Sequence, residues 1–215
     1  MKNKKSKKVV LVVGSAKGLG KYLAQQFVRS GMTTIFHYRE KRKGLRRGAV
    51  FFDVRENSEV EREIRKIIKK HKHLDLVVNC VGPYTPKRLD KISIQDWKEN
   101  IEATLHGAFF VSRAVLPHLR RQKSGCLVFI GDAATGKLKT SPMAVPYKIA
   151  KNGLITFVYA LREVERKRGI KVGLIAPGYM PNSIVSPPKK TPPEMRTSFD
   201  QVWKKLCRFY SSSLN

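Results

Sequence analysis

A chain of 215 residues with 41% hydrophobic content has room for one domain with a buried core and is too short for two large domains. No apolar run reaches the ~18 residues of a membrane-spanning helix, which excludes such a helix on sequence grounds. The three cysteines (Cys80, Cys126 and Cys207) show no CxxC spacing. We therefore predict reduced thiols in a cytoplasmic protein, without a disulfide framework or a metal site.

The charge balance is strongly basic, since 44 Lys and Arg against 16 Asp and Glu give a formal net charge of +28. Such a balance raises nucleic acid as a partner. The basic residues are spread through segments such as RKIIKKHK and REVERKR rather than gathered beside aromatic residues. This pattern favours solvated charge and leaves nucleic acid as a partner only through non-specific attraction. Residues 1–8 we interpret as a basic, solvated tail, because the apolar run after them is too short for a signal peptide.

From residue 9 onward, short and continuously apolar runs alternate with amphipathic ones. Continuous apolarity indicates strands buried on both faces, and the amphipathic runs have helical spacing. The alternation predicts an α/β fold, a doubly wound Rossmann-type parallel sheet with helices on both faces. The predicted strands are Val9–Val13, Thr33–His37, Val50–Phe52, Leu74–Val78, Cys126–Ile130 and Val172–Ile175, and the predicted helices span residues 19–30, 58–72, 96–120 and 144–168.

The segment GSAKGLG, residues 14–20, stands between the first predicted strand and the first predicted helix. Its glycines, Gly14, Gly18 and Gly20, have the spacing GxxxGxG. In a doubly wound sheet this turn faces the ligand crevice, where glycines let the backbone approach a pyrophosphate at the helix amino terminus. Because the motif follows a strand and opens a helix, it predicts dinucleotide binding.

The end of the second predicted strand, in the sequence TTIFHYRE, indicates which dinucleotide is bound. An acidic residue there takes the ribose 2′-hydroxyl of NAD, whereas a cation accommodates the 2′-phosphate of NADP. Arg39 stands at this point, with Lys17 in the glycine loop and Lys41 just beyond, and a guanidinium suits a phosphate well. Glu40 argues the other way but lies one residue later. We predict NADP(H) as the cofactor.

Several motifs together resemble the short-chain dehydrogenase/reductase family over about residues 9–184. GSAKGLG is similar to the family's TGxxxGxG, NCVG to its NNAG, YKIAK contains its YxxxK, and APG is similar to the PG after its sixth strand. FFDV carries Asp53 where the family places an aspartate near the adenine. The resemblance implies an NADP-dependent oxidoreductase. The cofactor-binding residues that it implies are Gly14, Ser15, Lys17, Gly18, Leu19, Gly20, Arg39, Asp53, Val54, Asn79, Gly82, Lys151, Pro177 and Gly178.

Tyr147 and Lys151 are the predicted centre of catalysis. Their spacing of four places both side chains on one face of a helix. A nearby ammonium favours the phenolate, so we expect Lys151 to lower the pKa of Tyr147. The resemblance implies that Tyr147 donates a proton to a carbonyl or imine as hydride arrives, and that Lys151 also holds the nicotinamide ribose. The alternative is a surface pair on an amphipathic helix.

Two positions depart from the family pattern. GDAAT places Asp132 where the family has a catalytic serine, and Thr104 stands seven residues after Trp97, where the family has an asparagine. Asn100 lies one turn too early for that role. Asp132 either repels a substrate oxyanion and abolishes function, or marks a pteridine reductase-like subgroup in which it binds a pterin's amino edge and relays a proton to Tyr147. SAKGLG, FHYRE and DAAT favour that subgroup, whereas GPYTP resembles 3-oxoacyl-carrier-protein reductases.

Residues 185–215 form a shorter carboxyl-terminal part than the family pattern implies. The family continues past its PG motif through a helical substrate lid and a seventh strand, whereas 37 residues follow Gly178 here. We predict one helix, Glu194–Phe209, as part of a short lid. Without a seventh strand, we expect the sixth strand or its neighbour to have an exposed edge.

The sequence leaves three functions open. The leading hypothesis is an NADPH-dependent reductase of a carbonyl or a pterin-type C=N bond, with Tyr147, Lys151 and Asp132 as catalytic residues. The alternatives are a 3-oxoacyl-carrier-protein-reductase-like carbonyl reductase and a non-catalytic NADP-binding remnant or sensor. The resemblance implies a homo-oligomer, either a dimer or a tetramer. We predict no membrane partner, and no bound metal because the five histidines show no ligand spacing.

Overall fold

The computed structural model describes residues 7–41, 44, 48–134, 142–181 and 193–211. Within these residues, six parallel strands form one sheet in the order β3-β2-β1-β4-β5-β6. The strands are β1 (Val9–Val13), β2 (Thr33–Tyr38), β3 (Val50–Phe51), β4 (Leu76–Asn79), β5 (Gly125–Ile130) and β6 (Ile170–Ile175). The helices are α1 (Gly18–Arg29), α2 (Asn57–His71), α3 (Ile94–Ile101), α4 (Gly107–Gln122), α5 (Val145–Arg166) and α6 (Phe199–Ser211).

The order of the strands reverses between β1 and β4. The chain proceeds outward from β1 to β3, then returns to place β4 on the other side of β1. Val13 pairs with Asn79, which in turn pairs with Phe129, so β1, β4 and β5 end at the same level. A crevice opens at such a reversal, beyond the carboxyl ends of the strands. The predicted doubly wound sheet is therefore confirmed, with the glycine-rich turn at its crevice.

The core lies on both faces of the sheet. In β1, Val9, Leu11 and Val13 face a cluster formed with α2, α4 and α5, while Val10 and Val12 face α1 and α6. All five side chains are at most 2% exposed. Burial on both faces explains why the strand is continuously apolar rather than alternating.

The long predicted helix over residues 96–120 differs from the structure. It is two helices, α3 and α4, joined by a π-helical turn over Glu102–His106. A π-turn inserts an extra residue into the helical ladder and is common at functional sites. Nothing in the amphipathic spacing signals it, since the turn continues the helix without a break.

Smaller differences concern element ends. β4 begins at Leu76 rather than Leu74, and β6 begins at Ile170, two residues earlier than predicted. The predicted helix Glu194–Phe209 is a short 3-10 turn at Pro193–Met195 followed by α6. Residues 1–6 of the predicted tail, the last three residues of the predicted dinucleotide-binding domain (182–184), and residues 185–192 and 212–215 of the predicted lid segment lie outside the described residues.

The described sheet ends at β6, and α6 covers one face of this strand rather than its edge. The Phe209 ring packs so closely on Gly173 that a Cβ there would stand 2.4 Å from the ring. On the other side, α6 contacts α1 through Trp203, whose ring meets that of Phe27 edge-on. None of the helices in the described part of the chain is long and apolar enough to cross a membrane. The cysteines are free thiols.

Candidate active site

The glycine-rich turn has the backbone shape that a phosphate requires. Gly14 and Gly18 adopt φ values of +81° and +54°, in the left-handed region that favours glycine. A Cβ on Gly20 would stand 2.1 Å from the Gly14 carbonyl oxygen, so only glycine lets α1 pack this close to the turn. Lys17 is the N-cap residue of α1 and makes no side-chain capping bond. The first N–H groups of α1 are thus left for an anion at the helix amino terminus.

His37 anchors this turn to the sheet. The Gly14 N–H donates to His37 Nδ1 at 2.9 Å, and His37 Nε2 lies 2.8 Å from the Phe52 carbonyl oxygen. Since Nδ1 accepts a hydrogen bond, the proton must be on Nε2, which donates to Phe52. The ring is 3% exposed, and burial lowers its pKa to about 4. A neutral imidazole therefore ties the glycine turn to the end of β3 at any ordinary pH.

Ser15 strengthens the same anchor. Its hydroxyl donates to the His37 carbonyl oxygen at 3.0 Å and accepts from the His37 N–H at 2.9 Å. The Ser15 N–H also donates to that carbonyl. Ser15 is 1% exposed, so its side chain supports the turn from behind.

A cavity of about 520 Å³ lies beyond the ends of β2 and β3, where the resemblance implies the adenosine end of the cofactor. Asp53 accepts from Arg55 Nε and Nη2 at 3.0 and 2.5 Å. Burial would raise the pKa of Asp53, but its hydrogen bonds and charge contact with Arg55 outweigh burial and lower it. The cavity is lined by Arg39, Glu40, Asp53, Arg55, Glu59, Gln95 and Glu99.

Arg39 lies at this cavity, as the sequence predicts, but it already contacts two carboxylates. Its guanidinium is 3.4 Å from Glu40 and 3.7 Å from Glu99. The Arg39 side chain is 53% exposed, so these ion pairs are weak and open to exchange. A 2′-phosphate at this point would compete with Glu40 and Glu99 for the same guanidinium.

Asp132, Tyr147 and Lys151 are brought together at the ends of β5 and β6. The Tyr147 hydroxyl donates to Asp132 Oδ2 at 2.8 Å, and Asp132 Oδ1 accepts from the Ala134 N–H at 2.7 Å. Lys151 Nζ donates to the Ile130 carbonyl oxygen at 2.7 Å and lies 5.7 Å from the centroid of the Tyr147 ring. The alternative of an exposed surface pair is not what the structure shows, because Lys151 is 3% exposed.

The pKa of Tyr147 is shifted opposite to the sequence-based expectation. Burial raises it most, and the charge and hydrogen bond of Asp132 raise it further. The expected lowering by Lys151 is wrong here because Asp132, not the ammonium, contacts the phenol oxygen. Burial lowers the pKa of Lys151 to about 8, although Asp132 opposes this shift. The phenol thus stays protonated, and Lys151 titrates close to neutral pH.

The segment after β4 forms a wall beside these groups. A Cβ on Gly82 would stand 2.6 Å from Lys151 Nζ, so glycine makes room for the ammonium. The Tyr84 ring meets the Tyr147 ring edge-on, with centroids 4.9 Å apart. Asn79 holds the start of this segment in a turn, because its Oδ1 accepts a hydrogen bond from the Val81 N–H at 3.0 Å.

The end of α3 and the π-turn contribute buried polar groups next to this wall. Thr104 is 1% exposed, and its hydroxyl has no hydrogen-bond partner among the described residues. That hydroxyl would be 3.9 Å from a Cβ on Gly82, on the same side as Lys151. Asn100 is fully buried and donates to Thr85 Oγ1 at 2.8 Å, whereas its Oδ1 also has no partner in the described part. Buried polar atoms of this kind usually bind water or ligand.

The remaining predicted residues surround the crevice. The Pro177 carbonyl oxygen accepts from the Ala133 N–H at 2.9 Å, which joins the turn after β6 to the Asp132 loop. The Gly178 N–H donates to Thr197 Oγ1 at 2.9 Å. Leu19 is 8% exposed in the core beneath α1, and Val54 is 5% exposed against Gly107. In the described residues no group of three or more His, Cys, Asp and Glu side chains could hold a metal ion.

His37 and Tyr84 were not singled out by the sequence analysis. His37 had a readable signal, since it is the one imidazole within a strand of otherwise apolar and hydroxyl-bearing residues, TTIFHY. Tyr84 had none, because an aromatic residue in a proline-containing loop is compatible with many roles.

Comparison with known proteins identifies the family. A family model described as short chain dehydrogenase matches residues 8–191, most of the chain. The chain belongs to the short-chain dehydrogenase family, which confirms the resemblance carried by the glycine turn and the YxxxK motif.

Individual relatives bear different names. L-fucose dehydrogenase of Oryctolagus cuniculus is 32% identical over 181 residues, which are 80% of this chain and 62% of that protein. A 3-oxoacyl-[acyl-carrier-protein] reductase of Synechocystis is 28% identical over 184 residues, 80% of this chain and 74% of that protein. The chain therefore spans less than two thirds of the length of the rabbit protein.

Solved structures share the fold. A gluconate 5-dehydrogenase from Burkholderia cenocepacia, in complex with NADP and tartrate, has a TM-score of 0.85 at 21% identity and covers 96% of this chain and 90% of its own. ElxO with NADP bound has a TM-score of 0.83 at 23% identity and covers 95% of this chain and 92% of its own. At these identities the likeness concerns architecture.

Proposed function

We propose that this protein is an NADP(H)-dependent reductase whose substrate presents a C=N bond beside an N–H edge, as an oxidised pterin does. The observation that supports this most is the hydrogen bond from the Tyr147 hydroxyl to Asp132. A carboxylate at this point accepts hydrogen bonds and repels developing negative charge on oxygen. It suits a ring nitrogen and amino group better than a ketone.

The residues at the crevice fit the proposed cofactor. The glycine turn and the amino terminus of α1 would hold the pyrophosphate, and Arg39 with Lys17 would take the 2′-phosphate. Asn79, Gly82 and Lys151 would hold the nicotinamide end, and Gly82 leaves the ammonium room. When bound, NADPH supplies the hydride.

The chain's own groups would move the proton. Tyr147 stays protonated because of burial and Asp132, so it is a donor in the direction of reduction. Asp132 orients the phenol and accepts the substrate's N–H edge. Lys151, with a pKa of about 8, holds the Ile130 carbonyl oxygen and supplies positive charge behind Tyr147. Thr104 adds a buried hydroxyl that a bound water would satisfy.

A carbonyl reductase of the 3-oxoacyl-carrier-protein type is the second candidate. A relative bearing that name shares 28% identity over 80% of the chain. For a ketone, the charge of Asp132 would oppose the developing negative charge on the substrate oxygen, and the phenol would remain the donor. This candidate predicts that a neutral group at position 132 increases carbonyl reduction.

The test compares wild type with Asp132→Ser in an assay of NADPH oxidation. The substrates are an oxidised pterin and a set of carbonyls that includes a 3-oxoacyl thioester. We expect wild type to favour the pterin, and Asp132→Ser to lose pterin turnover by about 100-fold or more while carbonyl turnover stays equal or rises.

Wild type that reduces only carbonyls, with Asp132→Ser faster, would contradict the pterin proposal and support the second candidate. No turnover of any substrate, with NADPH still bound, would indicate the non-catalytic remnant. Asp90→Ser is a matched control, because Asp90 is an exposed carboxylate that pairs with Arg88 and not with Tyr147.

We also propose a homo-oligomer. Phe109 and Tyr159 are 48% and 53% exposed on α4 and α5, and burying such aromatic rings would stabilise contact between copies. Light scattering of the purified protein should give a mass of two or four chains, and a monomer would contradict the proposal.

A further inference from the structure

The end of the molecule opposite the crevice, which we call the basal face, consists of the amino ends of the strands and the carboxyl ends of the helices. Cations are frequent on this face in the last turns of α1, α2, α4 and α5. The residues that directly follow α2, α4 and α5 add further cations. These are Arg29, Lys69, Lys70, Lys72, Arg120, Arg121, Lys123, Arg166, Lys167 and Arg168. Topology thus gathers at one face charges that look evenly spread in the sequence.

A cavity of about 550 Å³ opens in the basal face between the ends of α4 and α5. It is lined by Arg120, Lys123, Lys167, Arg168 and Gly169, without a carboxylate among them. The two turns that carry these side chains lie close together, since a Cβ on Gly169 would stand 2.7 Å from the Lys123 carbonyl oxygen. Four cations from two helices therefore converge on one opening.

The two arginines are held in position from beneath. Glu165 is fully buried and accepts from Arg120 Nε at 3.1 Å and from Arg168 Nη1 at 3.0 Å. These partners lower the pKa of Glu165, the Arg120 hydrogen bond most. One carboxylate balances two guanidiniums, and within the described part of the chain Lys123 and Lys167 form no ion pair. The opening keeps a net positive charge on a rigid base.

Cations at helix carboxyl ends commonly stabilise the helix dipole. One or two cations per helix are enough for that role. It does not explain why two helices form a cavity between them and share one buried carboxylate between their guanidiniums. An extended polyanion would contact the cavity and the neighbouring helix ends together.

We propose that the basal face, centred on this cavity, binds the phosphodiester backbone of double-stranded nucleic acid without sequence preference. Single-strand binding uses aromatic platforms, and membrane adsorption buries apolar side chains. Among the described large hydrophobic residues that are exposed, only Val164 lies in the last turns of these helices. A duplex presents regularly spaced phosphates, and cationic side chains can bind them without aromatic or apolar contacts. This inference is independent of the proposed redox function.

The test measures binding of a fluorescent duplex of mixed sequence by anisotropy, from ~50 to ~200 mM salt. The variant Lys123→Asn with Lys167→Gln removes two cations of the cavity and leaves the Glu165 pairs intact. Asn suits the left-handed backbone of Lys123, whose φ is +54°. The control, Lys204→Gln with Lys205→Gln, removes the same charge from the exposed side of α6.

We expect the cavity variant to bind more than ~10-fold more weakly at ~100 mM salt, with a log–log salt slope shallower by about 2. The control should change affinity by less than ~3-fold. Thermal unfolding should be unchanged in both variants. Equal losses in the two variants would overturn the proposal, since they would indicate diffuse charge. So would absence of duplex binding, including the case in which vesicles rich in anionic lipid bind instead.

Discussion

The two halves of the crevice are built on different principles. Around β1, β2 and β3, backbone N–H groups and one neutral imidazole shape the glycine turn. The charged side chains lie outside it, in an exposed pair of Arg39 with Glu40 and a half-buried pair of Arg55 with Asp53. Around β4, β5 and β6, a buried ammonium lies close to a half-buried phenol that is hydrogen-bonded to a carboxylate. The first half therefore offers shape and dipoles, and the second offers groups that exchange protons. Substitutions in the first half should change cofactor affinity, whereas those in the second should change kcat.

The largest expected effect is that of Lys151→Met. It removes the buried charge behind Tyr147 while keeping an unbranched side chain of similar length. We expect kcat to fall by about 10²- to 10⁴-fold, the range for loss of one acid–base group. Stopped-flow or steady-state NADPH oxidation measures it.

Lys148→Met is the matched control, because Lys148 lies three residues earlier on α5 and is only half-buried. It should keep kcat within about threefold of wild type. Equal losses in both variants would show that the effect belongs to the helix and not to the ammonium beside Tyr147.

His37→Phe tests the first half of the crevice. It leaves the Gly14 N–H and the Phe52 carbonyl oxygen without their partner, and each unsatisfied buried group costs about 1–3 kcal/mol. We expect NADPH to bind about 10- to 100-fold more weakly, as fluorescence titration would show, with kcat at saturating NADPH nearly unchanged.

His37→Asn should restore most of the affinity, because its side-chain oxygen can accept from the Gly14 N–H. His106→Phe, an exposed histidine on the π-turn, serves as control. Failure of Asn to rescue, or an equal loss in the control, would contradict a positioning role for the imidazole.

Arg39→Gln should have a smaller and more selective effect. A 2′-phosphate contact with a half-exposed guanidinium is worth ~1.4 kcal/mol, so KM for NADPH should rise about tenfold and KM for NADH should not change. Glu40→Gln removes a competitor for Arg39 and should lower KM for NADPH. Parallel changes for both cofactors would exclude Arg39 as the discriminating residue.

The pH dependence of reduction tests the role of the crevice half around β4, β5 and β6. Lys151 is protonated below its pKa of about 8 and neutral above it. The reduction rate should therefore be constant below this pH and fall toward tenfold per unit above it. A rate that stays constant from pH ~7 to ~9.5 would contradict a role for the positive charge of Lys151 in reduction.

The apolar pattern alone predicts most of the architecture, because strands covered on both faces must be continuously hydrophobic. β1 has the predicted bounds, and the other strands differ by at most two residues at an end. The start of α6 was missed although the sequence carries a signal for it. Ser198 and Gln201 form reciprocal hydrogen bonds between side chain and backbone, a capping box.

The candidate site was predictable as a set of residues but not as a set of charges. Parallel topology brings the ends of β1, β4 and β5 to one edge, which places Asp132 there, and the family resemblance implied that Tyr147 lies near it. Their hydrogen bond reverses the expected pKa shift, since the direction depends on burial and on which charge contacts the phenol oxygen. The spacing of residues along a helix indicates neither how deeply the phenol is buried nor which charge contacts its oxygen.

The measurement that tests the central claim most directly is turnover by Tyr147→Phe, which lacks only the phenol oxygen. The account predicts that this variant binds NADPH as tightly as wild type and reduces the preferred substrate at least about 10²-fold more slowly. Wild-type turnover that persists in Tyr147→Phe would contradict the claim that Asp132, Tyr147 and Lys151 form the proton-donating centre of this protein.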